Sequence, residues 1–113
     1  MAFTRQSDAV YEENLRFLDP LPRAQAALEM MERVILARPH DFPKMDDSNR
    51  RAYKSSRFAD IGSSQYQLAI YFTILPEAVI RFDSLILYDR EREMAKGGQR
   101  GVFHFQGRRQ DRQ

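Results

Sequence analysis

The sequence predicts an α+β fold: an N-terminal antiparallel helical hairpin packed on a mainly antiparallel sheet of three to four strands. Three observations predict it. Apolar residues recur at the helical period through the first third of the chain. After residue 65 the period drops to two, the spacing of a half-buried strand. Helical segments precede strand segments rather than alternating with them, which places the helices on one side of an antiparallel sheet.

Taken in order, Ser7 and Asp8 supply an N-cap and a first-turn acid. Tyr11, Leu15 and Leu18 then recur at i, i+4 and i+7, a short amphipathic helix over 8–18. Pro20 and Pro22 interrupt it, because proline lacks a donor and restricts the residue before it, and Pro22 suits the first turn of a new helix. There Ala24, Ala27, Leu28, Met31, Val34 and Ile35 form one stripe over three turns, ended by Pro39. Met30 and Met31 read as core filling. The short connection predicts that the two helices pair antiparallel.

Residues 40–50 are a polar connector with Pro43, Asp46, Asp47, Ser48 and Asn49 as turn formers. A weaker strand pattern over 53–61 follows, then a turn at residues 62–64. In residues 65–75, Tyr66, Leu68, Ile70, Phe72 and Ile74 alternate onto one face. Residues 76–96 admit two readings. Ile80, Phe82, Ile86 and Tyr88 alternate as a strand after a Pro76-Glu77 hairpin turn. Alternatively, Pro76-Glu77 opens a helix with Val79, Phe82 and Ile86 as its stripe. The β-branched and aromatic content favours the strand. Residues 101–107 supply one more short strand candidate, with Phe103 and Phe105 on one side.

At 113 residues, 42% hydrophobic and 30% charged, the chain has room for one modest core and lacks the composition of global disorder. Residues 1–107 are expected to form that single domain and 108–113 a loose basic tail. The absence of cysteine removes disulfides, thiolate zinc sites and cysteine nucleophiles. No apolar run reaches the roughly 18 residues of a membrane span, and the first twenty residues carry Arg, Asp and Glu, unlike a secretory leader. The expectation is a cytoplasmic protein with no membrane association.

A net charge of only +2 does not by itself mark a nucleic-acid binder. The charge is segregated, however. Lys44, Arg50, Arg51, Lys54 and Arg57 form one basic stretch, and Arg90, Arg92, Lys96, Arg100, Arg108, Arg109 and Arg112 another. Such a surface meets phosphates or an acidic partner, or is simply solvated.

Most catalytic chemistries lack their residues. His40 and His104 stand far apart without companions at ligand spacing, and Asp46 and Asp47 read as a solvated turn, so no metal is expected. Gly62 is isolated and Gly97-Gly98 lacks the pattern of a phosphate loop, so no nucleotide cofactor is expected either. No nucleophile elbow supports a serine triad. Cleavage of RNA by its own 2′-hydroxyl remains compatible, because the nucleophile belongs to the substrate. That reaction needs a base, an acid for the leaving 5′-oxygen, and cations around the phosphate. Lys54, Arg57, Arg81, Tyr88 and Arg90 are candidate catalytic residues of the right types. The plainer account of the same residues is an exposed sheet face kept polar for solubility.

The pattern resembles a known family. The helix ending in Ala37, Arg38 and Pro39 precedes residues 51–62, with Tyr53, Lys54 and Arg57. Residues 65–72, the segment Pro76, Glu77, Ala78, Val79, Ile80 and the closing Leu87, Tyr88, Asp89, Arg90, Glu91 follow. Together, over about residues 2–91, these look like the RelE/ParE superfamily of toxins from bacterial toxin–antitoxin modules, whose members run short strand, two helices, then three or four antiparallel strands. The resemblance implies a compact α+β toxin that either cleaves mRNA on the ribosome or acts on DNA gyrase and is neutralised by an antitoxin wrapped around it. Lys54 and Arg57 match the basic residues of the family's first long strand, Tyr71 the tyrosine ending the strand core, and Tyr88 and Arg90 the terminal functional pair. One departure stands out: Gln67 occupies the slot where many members place a strand arginine, and glutamine can hydrogen-bond a phosphate without neutralising it.

A second hypothesis, from a different class, is a non-enzymatic phage- or plasmid-type inhibitor that binds a protein partner through its sheet edge and basic surface. Tyr66, Gln67, Tyr71, Phe103 and Phe105 are its candidate partner-binding residues, with Phe72 and Tyr88 as further aromatic anchors. Expected partners are therefore an antitoxin-like or inhibited protein, with RNA or the ribosome, or a second copy as a homodimer, as further possibilities. Direct nucleic-acid binding through the basic C-terminal segment ranks last, lacking a recognition motif.

Overall fold

The computed structural model of the chain describes residues 3–61 and 65–98. The fold is α+β, with two α-helices and a mixed six-stranded sheet. It departs from the residue pattern at its start, which is a strand rather than a helix, and in its sheet, which is mixed and six-stranded rather than mainly antiparallel with three to four strands. β1 (Thr4–Ser7) is followed by α1 (Ala9–Asn14), a 3-10 turn over Leu15–Leu18, and α2 (Pro22–Ala37). Then come β2 (Arg50–Lys54), β3 (Phe58–Ala59), β4 (Gln65–Leu75), β5 (Val79–Asp89) and β6 (Met94–Gly97). The strands lie in the order β1-β5-β4-β2, with β3 on β4 beyond β2 and β6 on β5 beyond β1. β1 runs parallel to β5, which the two intervening helices permit, since a parallel return needs a crossover of a dozen or more residues.

Asp8, not Ser7, caps α1: its carboxylate accepts the Val10 N–H at 2.9 Å, while Ser7 closes β1 and donates its hydroxyl to Glu12. α2 begins at Pro22 without a side-chain cap of its own. Asp60, beyond β3, supplies one, accepting the Ala24 N–H at 2.8 Å and placing a negative charge at the positive end of the helix. The helices do not pair as a simple hairpin. α1 lies against β5 and α2 against β4, and they meet where the buried Tyr11 hydroxyl donates to Glu32, itself gripped by Arg5 at 2.8 and 3.1 Å.

The helical stripe buries Ala24, Met31 and Ile35 against Leu68, Ile70, Phe72, Ile80, Phe82, Leu85 and Leu87 of the sheet. Met30, expected inside with Met31, is 49% exposed. Strand β4 occupies the residues its alternation predicted. Residues 76–96 are strand, turn and strand, not helix, but the alternation expected there breaks midway. Phe72 pairs with Phe82 and Tyr71 with Ser84, so Asp83 has no opposite number. This β-bulge reverses the parity of β5. Ile80 and Phe82 face the helices, whereas Ile86 and Tyr88, expected beside them, turn to the other face and Leu85 and Leu87 take their place.

The hairpin turn before β5 holds Glu77 and Ala78 at φ +66° and +60°, a conformation that glycine or asparagine adopts more cheaply. On its outer side β5 is flanked by β1 up to Phe82 and by β6 from Ile86. Asn14 closes the gap. Its buried side-chain oxygen accepts the N–H groups of Leu85 at 3.0 Å and Gly98 at 3.1 Å. Gly97 beside it has φ +98°, and a Cβ there would stand 2.2 Å from the Leu85 carbonyl oxygen. The strand expected over 101–107, with Phe103 and Phe105, and the tail 108–113 lie outside the described residues. No helix among the described residues is long and apolar enough to cross a membrane.

Candidate functional site

The face of the sheet turned away from the helices carries a second, smaller apolar cluster. Ala69 and Ile86, cross-strand partners, form its floor. Tyr71, Tyr88, Ala52 and Ala95 pack around them. Side chains of alternate residues share a strand face, so the register places Lys54 opposite Ala69, Tyr88 opposite Gln67, and Arg50 opposite Thr73, which in turn faces Arg81. The Arg50 guanidinium stands 5.6 Å from the centre of the Tyr71 ring.

The end of this face where β2 and β5 finish and β4 begins gathers four of the five candidate catalytic residues. Lys54 is the last residue of β2 and is exposed; Arg57 follows it in the connection to β3 and is exposed. Tyr88 is half-buried, and Arg90 is held next to the start of β4 by its N–H on the Gln65 carbonyl at 2.6 Å. Burial pushes the phenols of both Tyr88 and Tyr71 up, while Arg90 and Arg50 respectively draw them back down. Both are thus neutral phenols at neutral pH, able to donate a proton or hydrogen bond rather than act as bases.

The fifth candidate, Arg81, sits farther along the face and is not a free cation. Its Nε donates to Asp83 Oδ1 at 2.6 Å, and Asp83, only 3% exposed, also accepts the Thr73 hydroxyl at 2.6 Å. Gln67, a candidate partner contact, has a structural task instead. Its amide donates to the Ser55 carbonyl at 2.8 Å, while Ser55 exchanges hydrogen bonds with the Leu68 backbone through its N–H at 2.8 Å and its hydroxyl at 3.0 Å. That clasp fixes where β2 ends and where the Arg57 segment starts.

Of the aromatic candidates, Phe72 is buried in the core beneath Phe42 and Phe82, so it anchors nothing outside. Tyr66 lies on the helix side, its ring 6.2 Å from that of Phe58. There it lines a groove with Phe17, Leu21, Leu87, Met94 and Lys96. Tyr71 is on the helix-free face but only 8% exposed. Sequence reasoning overlooked Asp83, Thr73 and Arg50 in this setting. The signal for the first was present: an acid two residues after an arginine inside an otherwise apolar strand.

Among the described residues no group of three or more His, Asp or Glu side chains is placed to hold a metal. Comparison with known proteins brings no match: no family model, no curated protein and no solved structure matches the chain.

Proposed function

We propose that the protein is a toxin-like factor that acts on translation by cleaving RNA without a metal, and that a protein partner neutralises it. The observation supporting this reading is the convergence of Lys54, Arg57, Tyr88 and Arg90 on one end of the helix-free sheet face. In that role the three cations surround the scissile phosphate as its charge develops, and Tyr88, a protonated phenol, supplies the proton for the departing 5′-oxygen. The substrate's own 2′-hydroxyl attacks phosphorus, its proton passing to solvent water, and the bond from phosphorus to the 5′-oxygen breaks, leaving a 2′,3′-cyclic phosphate and a 5′-hydroxyl. The element order, short strand, two helices and then antiparallel strands, is the order the RelE/ParE resemblance implies and supports the same reading. With Gln67 spent on Ser55 and the Arg81 Nε held by Asp83 farther along the face, the cationic work at the scissile phosphate falls on Lys54, Arg57 and Arg90.

Induced expression in a bacterial host tests it. Growth arrest with cleaved mRNA is expected, relieved by Tyr88→Phe or Arg57→Ala, each lowering the cleavage rate roughly 100- to 1,000-fold. An intact transcript pool and unimpaired growth with the wild-type chain would reject the reading.

A second reading, a non-enzymatic inhibitor that binds a protein, is favoured by the groove on the helix side. Phe17 and Met94 are 40% and 46% exposed there, beside Arg92 and Lys96. Its sign would be harmless expression and co-purification of one protein, lost on Phe17→Glu.

A further inference from the structure

The bulge in β5 does more than reverse a strand. It inserts a carboxylate, Asp83, into a basic face, buries it, and satisfies each of its oxygens with a bond of 2.6 Å: Thr73 Oγ1 donates to Oδ2 and Arg81 Nε to Oδ1. The arginine is therefore held by the inner nitrogen of its guanidinium. A carboxylate on Nε fixes the plane of the group and leaves the terminal nitrogens for another acceptor. Of these, Nη2 makes only a long 3.4 Å contact to Thr73 Oγ1. The Arg81 side chain is 37% exposed. Across Thr73 from it, in the same cross-strand row, stands Arg50.

We propose that Asp83, with Thr73, is a positioning residue that presents the outer edge of Arg81 to a phosphodiester, making this row a second phosphate contact one step along the RNA strand from the Lys54–Tyr88 end. The assignment rests on the RNA reading above. The ligand class follows from the donors: a planar pair of N–H groups matches the paired oxygens of a phosphate. The cross-strand row of Ala52, Tyr71 and Ser84 separates the two contacts, with Tyr71 packed on the buried Ala69 and Ile86.

This role and simple electrostatics predict opposite signs for one substitution. Removing a negative charge from a basic face should tighten RNA binding by Coulomb attraction. If Asp83 positions Arg81, its removal should weaken binding instead. The experiment measures a labelled single-stranded 12-nucleotide RNA by fluorescence anisotropy across a salt series, for the full chain and its variants, with thermal unfolding recorded for each. Arg81→Ala is expected to reduce the slope of log K against log salt by about 0.7, one phosphate's share on a single strand. Asp83→Asn should produce a similar loss of slope and at least a 5-fold loss of affinity. Thr73→Val keeps the carboxylate and its ion pair while deleting the hydroxyl, and should weaken binding 2- to 3-fold. It decides the matter should Asp83→Asn fail to fold.

Tighter or unchanged binding by a folded Asp83→Asn, or by Thr73→Val in its stead, would overturn the assignment, as would an unaltered slope in Arg81→Ala. If Lys54→Ala and Arg57→Ala lower the slope while the three variants of this row do not, only the positioning role is lost. Absence of salt-dependent RNA binding by the wild-type chain removes the RNA reading itself, and this role with it.

Discussion

The two faces of the sheet are built from the same three strands and do opposite things. The face under the helices buries Leu68, Ile70, Phe72, Ile80, Phe82, Leu85 and Leu87 in one continuous core with Tyr11, Met31 and Ile35. The outer face buries Ala69, Ile86, Tyr71, Ser84 and Asp83, and surrounds them with Arg50, Lys54, Arg81 and the phenol of Tyr88. Large apolar side chains on one surface hold the fold, so the other is released from that duty and carries the polar chemistry. The contrast teaches where to expect a stability effect and where a functional one.

The largest expected effect lies on the covered face. Phe72→Ala, at a fully buried position between Phe42 and Phe82, should cost about 3–5 kcal/mol in a urea-unfolding measurement. A loss near 1 kcal/mol would mean the two faces differ less than their burial implies. Gly97→Ala comes next. Its Cβ would collide with the Leu85 carbonyl at a φ that L-residues avoid, and roughly 3 kcal/mol of destabilisation is expected by the same measurement.

Third is a pH effect. The buried Tyr11 phenol, desolvated and bound to Glu32, is held well above its ordinary value, and burial raises Tyr71 and Tyr88 too. In the unfolded chain these phenols ionise near pH 10. Stability is therefore full below that pH and falls as pH rises past it, because only the unfolded state releases the protons. Tyr11→Phe should flatten this alkaline limb in thermal unfolding recorded from pH 8 to 11. Smaller again, Ala78→Gly should stabilise by about 0.5–1 kcal/mol by relieving a positive φ in the β4–β5 turn. Smallest of all on this scale, Lys54→Ala and Arg57→Ala should move stability by less than about 0.5 kcal/mol while reducing RNA affinity, which would separate the faces most cleanly.

The covered face was the legible one. Alternation from Tyr66 to Ile74 and the stripe from Ala24 to Ile35 each name residues that meet in the core, because a large hydrophobic burial leaves a periodic trace. The residue pattern passed over β1 for the converse reason. Thr4, Arg5, Gln6 and Ser7 are polar residues that belong to the sheet only because the turn at Ala78 and the edge of β5 offer backbone partners. The bulge escaped because an inserted residue is defined by pairing, a property of two strands together, and no single strand records it. At the candidate site, residue types brought Lys54, Arg57, Tyr88 and Arg90 into view. They could not tell that Gln67 is committed to Ser55, Arg81 to Asp83, and Tyr66 to the opposite face. Those commitments are tertiary, set by neighbours distant in the chain.

The amide of Asn14 has one more consequence, for behaviour in a crowded solution. An uncovered stretch of strand is a template on which another chain can nucleate a fibril. Between Phe82 and Ile86 the paired strands leave Leu85, whose carbonyl takes the Gly98 N–H just past β6 and whose own N–H, the group a foreign strand would seek, is occupied by a side chain from the first helix. Losing it, by Asn14→Leu for instance, would leave a sticky seam, seen as turbidity on concentration alongside the lower melting temperature that unpaired buried donors bring.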